Sequence, residues 1–226
     1  MSRRAGWMVM ATALVVAGSA AQVLAEENDA AKRLADAKEV YQQLVSAPDR
    51  GVPKELLEHA RAIAVFPGVL KAAIGFGARH GKGVMTVRTA NGWSAPAVVS
   101  ITGGSAGFQL GAESTDLVLF FMNDRGVKAI INGSKLTLGG KASVAAGPVG
   151  RSGEAATNLE LNAEIYSYAR SKGLFAGLSV EGARIAPDNK ENAEFYGAGV
   201  TAKTVLLGKG PANRPPAAQD FLSVLP

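Results

Sequence analysis

The chain has 226 residues, with 24 Lys and Arg against 19 Asp and Glu, two His, no Cys, 27 Gly and 47% apolar residues. With no cysteine, a disulfide framework, a thiolate metal site and an acylated N-terminal cysteine are all excluded. A net charge of +5 is mild, not the footprint of a nucleic-acid binder, and the length suffices for one sizeable core.

Arg3 and Arg4 form a basic n-region, Trp7 to Ala17 an apolar h-region, and Val23-Leu24-Ala25 a cleavage context of small residues. The pattern predicts a secretory signal cleaved near Ala25, and hence an exported protein of the periplasm or envelope. The apolar run is too short, and too broken by Gly18, Ser19 and Gln22, for a span of ~20 residues.

From Asp29 to Val45, Ala30, Leu34, Ala37, Tyr41 and Leu44 recur at steps of four and three, which predicts a helix with one apolar stripe. Pro48 to Gly51 reads as a turn, and Pro53 opens a second helix to about Ala60, where its missing N–H costs nothing. Strands are expected at Ala62–Phe66, Val69–Arg79, Gly83–Thr89 and Ala97–Thr102, with turns at Pro67-Gly68, Gly81 and Asn91-Gly92. Gly104–Ala112 and Asp116–Met122 continue the sheet; the second is apolar on both faces and reads as central.

Asn123 to Asn132 predicts a short helix stopped by Gly133. Further strands are expected at Lys135–Leu138, Ala142–Ala146, Leu159–Tyr168, Leu174–Ile185 and Gly199–Leu207, with a helix at Asp188–Tyr196. Pro211 to Pro216 reads as a linker before a short docked helix over Ala217–Leu225. Short strands at regular spacing with glycine turns, and helices gathered at the N-terminus and between late strands, predict an α+β fold. Its sheet would be antiparallel and strongly curved, a sandwich or partial barrel.

Alternation gives Lys71 and Arg79 one face of their strand, and Lys82 and Arg88 one face of the next. Two adjacent strands would then present four cations together. Each Lys or Arg near an anionic bilayer contributes ~1 kcal/mol, so Lys71, Arg79, Lys82 and Arg88 are candidate contacts for lipid headgroups.

Other chemistry lacks its parts. Gly103 to Gly107 spells G-x-S-x-G, but a nucleophilic Ser105 needs a histidine downstream, and the two present, His59 and His80, lie upstream. The two histidines have no metal-ligand spacing. Glu113 and Asp116 read as turn chemistry at a strand entry, where Ser114, Thr115 and Asp116 bond nearby backbone N–H groups. Gly77 to Gly83 lacks the spacing and following helix of a phosphate loop. No catalytic residue, metal or cofactor is expected.

A series of blocks in order carries a family resemblance. They are Trp93-Ser94-Ala95-Pro96, Gly107 to Glu113, Thr115-Asp116 with its apolar run, Leu136 to Gly140, Ala146 to Arg151, Tyr166-Ser167-Tyr168, and Lys172 to Gly177 through Glu181-Gly182. Over roughly residues 30 to 200 the chain resembles the SYLF domain family, known for lipid binding and, in yeast endocytic proteins, for actin binding. The resemblance implies a non-enzymatic module that associates with membranes through anionic or phosphoinositide headgroups. The chain shows neither a Src-homology-3 nor a FYVE partner domain and carries the predicted export signal, so it looks like a stand-alone bacterial type. The expected partner is an anionic phospholipid surface; actin is not expected for an exported bacterial protein. The alternative is an envelope interaction protein that binds another protein through its sheet or its Pro-rich C-terminal tail.

Overall fold

A computed structural model describes residues 29–47, 51–74, 76–106, 111–148, 162–171, 173–210 and 214–226. The expected signal segment, residues 107–110 of the expected strand Gly104–Ala112 and residues 159–161 of another expected strand lie outside the described residues. The fold is α+β, built on a strongly curled, mostly antiparallel sheet that forms a half-barrel.

Helices α1 (29–45) and α2 (Lys54–His59) lead into the long hairpin β1 (Ala62–Ile74) and β2 (Phe76–Thr89). After these come β3 (Gly92–Trp93), β4 (Ala97–Ala106), β5 (Gly111–Phe121), α3 (Asp124–Ile131), β6 (Leu136–Thr137) and β7 (Val144–Ala146). The chain continues with β8 (Ile165–Ser171), β9 (Leu174–Gly177), β10 (Arg184–Pro187), α4 (Asn189–Tyr196), α5 (Ala202–Leu206) and α6 (Pro216–Leu222). The sheet order is β6-β10-β4-β2-β1-β5-β8-β7, with β3 added to β2 and β9 to β8; only β7 and β8 run parallel among these pairs.

Each face of the sheet carries its own core. Ala62, Ala64, Phe66, Met85, Leu119 and Phe121 point to the side covered by α3 and α5. Ile63, Val65, Val84, Val118 and Phe120 point to the side covered by α1, α2 and α6. This explains the unbroken apolar run of β5: the strand lies between β1 and β8 and is buried on both faces. Each such side chain contributes ~1.5–3 kcal/mol through burial. Ala30, Leu34, Ala37, Tyr41 and Leu44 of α1 are all buried in the second core, joined by Ala218 and Phe221 of α6. No helix among the described residues is long and apolar enough to cross a membrane.

The structure differs from expectation at several points. The first hairpin closes between Ile74 and Phe76, not at Gly81. Gly81 and Gly83 lie inside β2, where a Cβ would come within 2.9 Å of Val69 Cγ2 and 2.3 Å of the Val65 carbonyl oxygen, respectively. They are glycines because the β1 bulge between Phe66 and Val69 crowds the strand beside it. The expected strand Gly199–Leu207 is instead helix α5. Thr201 accepts from the Thr204 N–H, and Thr204 accepts from the Thr201 N–H, a reciprocal capping box that starts the helix. The expected strand Leu174–Ile185 divides into β9 and β10, with Gly182 at φ 77° in the turn between them. Asn123 and Asp188 cap α3 and α4 through side-chain oxygens, as their positions before apolar-periodic segments imply.

Candidate functional site

The corrected register redistributes the four cations. Arg79 and Lys82 occupy one regular strand three residues apart, so they point to opposite faces. The expectation that two strands present all four together fails on this parity.

Lys82 and Arg88 face the α1 side, and both are engaged. Lys82 Nζ lies 3.1 Å from Asp188 Oδ2 and 2.8 Å from Glu191 Oε2, and Glu191 in turn pairs with Arg33 of α1. This network ties α1, β2 and α4 together around a carboxylate whose side chain is only 8% exposed. Burial works against the charge on Asp188, but the Glu191 N–H and the Lys82 ammonium hold its carboxyl below the usual range. Burial likewise opposes the Lys82 charge, and Glu191 and Asp188 overcome it, holding the ammonium above its usual range. Arg88 donates to the Leu57 and Ala60 carbonyls at 3.2 Å each, satisfying the end of α2, and its guanidinium stacks 4.4 Å from the centre of the Trp93 ring.

Lys71 and Arg79 are direct cross-strand partners on the other face. Among the described residues neither side chain has an ion-pair or hydrogen-bond partner. Arg79 is half-buried, and burial pulls the pKa of its guanidinium down. Across β1, Lys71 also registers with Glu113 of β5, which accepts a hydrogen bond from Ser171 Oγ. Lys71, Arg79 and Glu113 stand on the wall of a cavity of about 500 Å³. The volume lies in the range of small-molecule pockets, roughly 300–1,000 Å³. Its remaining lining is mainly apolar: Val69, Leu117, Ala169 and Val180 belong to the core, while Leu174 and Leu178 are 61% and 44% exposed. The arrangement is amphiphilic, an apolar hollow with a cationic pair beside it.

The other candidate chemistry disperses. Ser105 registers with Gly77 in the β4–β2 ladder, and His80 with Thr102, so the two positions belong to opposite faces. The G-x-S-x-G therefore begins within a strand, not at a strand-to-helix elbow. Glu113 and Asp116, three apart on β5, likewise diverge. Asp116 Oδ1 accepts the Gly68 N–H at 2.9 Å, and Arg170 Nε donates to Asp116 Oδ2 at 2.6 Å. The acid thus pins the β1 bulge to β8, and Arg170 also lies over the Phe175 ring. Among the described residues no group of His, Cys, Asp or Glu is arranged to hold a metal ion. Sequence reasoning missed the apolar part of the cavity, because its lining comes from β1, β5, β8, β9 and the segment to Val180. The exposed Leu174 in the Lys172-Gly173-Leu174-Phe175 block was the one local signal.

The sheet is thus curled, cored on both faces, and carries an amphiphilic cavity beside its first hairpin. The chain belongs to the SYLF family: the family model described as "Ysc84: Las17-binding protein actin regulator" matches residues 102–226. It is 37% identical over 201 residues to human SH3 domain-containing YSC84-like protein 1, covering 88% of this chain and 57% of that protein. It is 40% identical over 200 residues to LAS seventeen-binding protein 3 of Saccharomyces cerevisiae, covering 87% of this chain and 42% of the relative. Protein YSC84 of the same yeast is 39% identical over 184 residues, or 80% and 39% of the two chains. The chain thus spans about half the length of the curated relatives it matches.

Proposed function

We propose that the protein is a non-enzymatic lipid-binding protein that associates with membrane surfaces through anionic headgroups. The carrying observation is the Lys71–Arg79 pair, whose side chains form no salt bridge among the described residues and which stands on the same cavity as the exposed Leu174 and Leu178. Cations beside a protruding apolar rim match the two layers of a membrane surface, phosphate outside and hydrocarbon within. Of the four sequence candidates, Lys71 and Arg79 contact headgroups in this reading. Lys82 and Arg88 contribute through the general field and through holding α1, α2 and α4 in place. In this reading the export signal expected near the N-terminus carries the protein to the periplasm or envelope. The test is flotation of the purified protein with phosphatidylglycerol vesicles against phosphatidylcholine vesicles. Equal recovery on both would overturn the headgroup reading.

A second reading, a protein–protein interaction role, is favoured by the family description, which names Las17 binding and actin regulation, and by the name LAS seventeen-binding protein 3. Those proteins are longer than this chain, and an exported protein would meet a different partner. Capture of one detergent-stable partner from envelope extract, with no vesicle affinity, would favour this reading over the first.

A further inference from the structure

We infer that the cavity beside Lys71 and Arg79 takes up the hydrocarbon chain of a single-chain anionic amphiphile, its acid group meeting Arg79. The inference rests on the lipid-surface reading and deepens it, from adsorption at headgroups to enclosure of one chain. Three features of the cavity favour this occupant. The wall from Val69 through Leu117 and Ala169 to Val180 is continuous with the core and carries no charge along that stretch. Charge is confined to the row that Arg79, Lys71 and Glu113 form across adjacent strands. Within that row Glu113 neighbours Lys71 and is engaged by Ser171, so Arg79 is the cation farthest in register from a carboxylate. A guanidinium half-withdrawn from water and without an anion among the described residues supplies the complementary charge. A neutral or cationic amphiphile would leave Arg79 unpaired, while a free phosphate would leave the apolar wall uncovered.

Leu174 and Leu178 give the chain a way in. They line the cavity and are also among the most exposed large apolar side chains of the described residues. Tetradecanoate could then arrive from a bilayer or from solution. One chemistry serves both sources.

The experiment is calorimetric titration of the protein with tetradecanoate below its micellar concentration, beside tetradecyltrimethylammonium and inorganic phosphate. The expected result is saturable binding of one tetradecanoate per chain, at least tenfold tighter than either control. Ala176→Trp, which enters the cavity from an exposed position of β9, is expected to weaken it at least tenfold. Leu178→Ser gives a second, milder probe should the tryptophan disturb folding, which circular dichroism reports. Equal binding of the cationic amphiphile, or unchanged affinity in both variants, would overturn the inference. Charge-dependent vesicle flotation without tetradecanoate uptake would leave the surface reading standing and remove this one. Saturable uptake without flotation would do the reverse.

Discussion

Lys71 and Arg79 sit directly opposite one another in the antiparallel β1–β2 ladder, two like charges with no salt bridge to either side chain among the described residues, although Glu113 registers with Lys71 from the β5 side. Like charges directly across a ladder oppose folding, by roughly 0.2–1 kcal/mol at such positions. A pair kept at that cost suits a surface that meets an anion. Arg79→Leu is therefore expected to raise stability by up to about 1 kcal/mol in urea unfolding while weakening anionic-vesicle binding. A destabilised variant with unchanged vesicle affinity would mean that Arg79 serves the fold.

Glu113 provides the opposite probe. It adjoins Lys71 and lowers the positive charge of the cavity wall. Glu113→Gln keeps an acceptor for Ser171 Oγ and removes one negative charge, so affinity for phosphatidylglycerol vesicles is expected to rise several-fold at low salt. The gain should shrink at 0.5 M salt, where the Debye length falls to a few ångströms. Reduced affinity in flotation would show that the carboxylate contacts the ligand constructively.

Lys82 is expected to act on stability instead. Lys82→Met leaves Glu191 with Arg33 alone and removes one partner of Asp188. Because the lysine side chain is 41% exposed, solvent screens part of the effect, and a loss of about 1–2 kcal/mol is expected. The pH dependence follows from the directions of the two shifts. Asp188, held below its ordinary 3.8, contributes stability that is fully present above that value and lost as pH falls through the lower folded value. Lys82, held above its ordinary 10.5, contributes stability present below that value and lost as pH rises through the higher folded one. Urea midpoints across pH should show both limbs blunted in the variant. An unchanged profile would contradict the network.

Gly147 tests the reason for a sequence block. A Cβ there would come within 2.2 Å of Tyr168 Cζ, and Tyr168 OH donates to the Pro148 carbonyl at 2.9 Å. Gly147→Ala is expected to displace the ring, break that bond and cost about 1–3 kcal/mol, read as a lower thermal midpoint. A Cβ on Gly177 would come within 2.2 Å of the Gly147 carbonyl oxygen, so Gly177→Ala should also lower the midpoint.

Where a residue's role is local, the sequence displayed it. The α1 stripe, the short helices beginning near Asn123 and Asp188 and the doubly buried β5 were all readable from spacing and side-chain type. Gly81 misled because a glycine that opens a turn and a glycine that admits a neighbour's bulge are the same letter. Its meaning depends on Val69 in the adjacent strand. That misplaced turn exchanged the faces of half the cations. It joined Lys82 and Arg88 to a site they do not share with Lys71 and Arg79. The expected strand Gly199–Leu207 failed differently: the T-x-x-T spacing of a reciprocal cap was present at Thr201 and Thr204. The cavity was beyond local reading, since no two of its charged residues come from one strand.

Flotation with phosphatidylglycerol vesicles of two charge-reversal pairs, Lys71→Glu/Arg79→Glu and Lys82→Glu/Arg88→Glu, separates headgroup contact from support of the fold. Headgroup contact through Lys71 and Arg79 predicts that the first pair stays folded by circular dichroism and loses most vesicle binding, with a much weaker salt dependence than the parent. The second pair should fail mainly in stability, through Glu191 and the end of α2. A folded Lys71→Glu/Arg79→Glu protein that floats with anionic vesicles as well as the parent would contradict it.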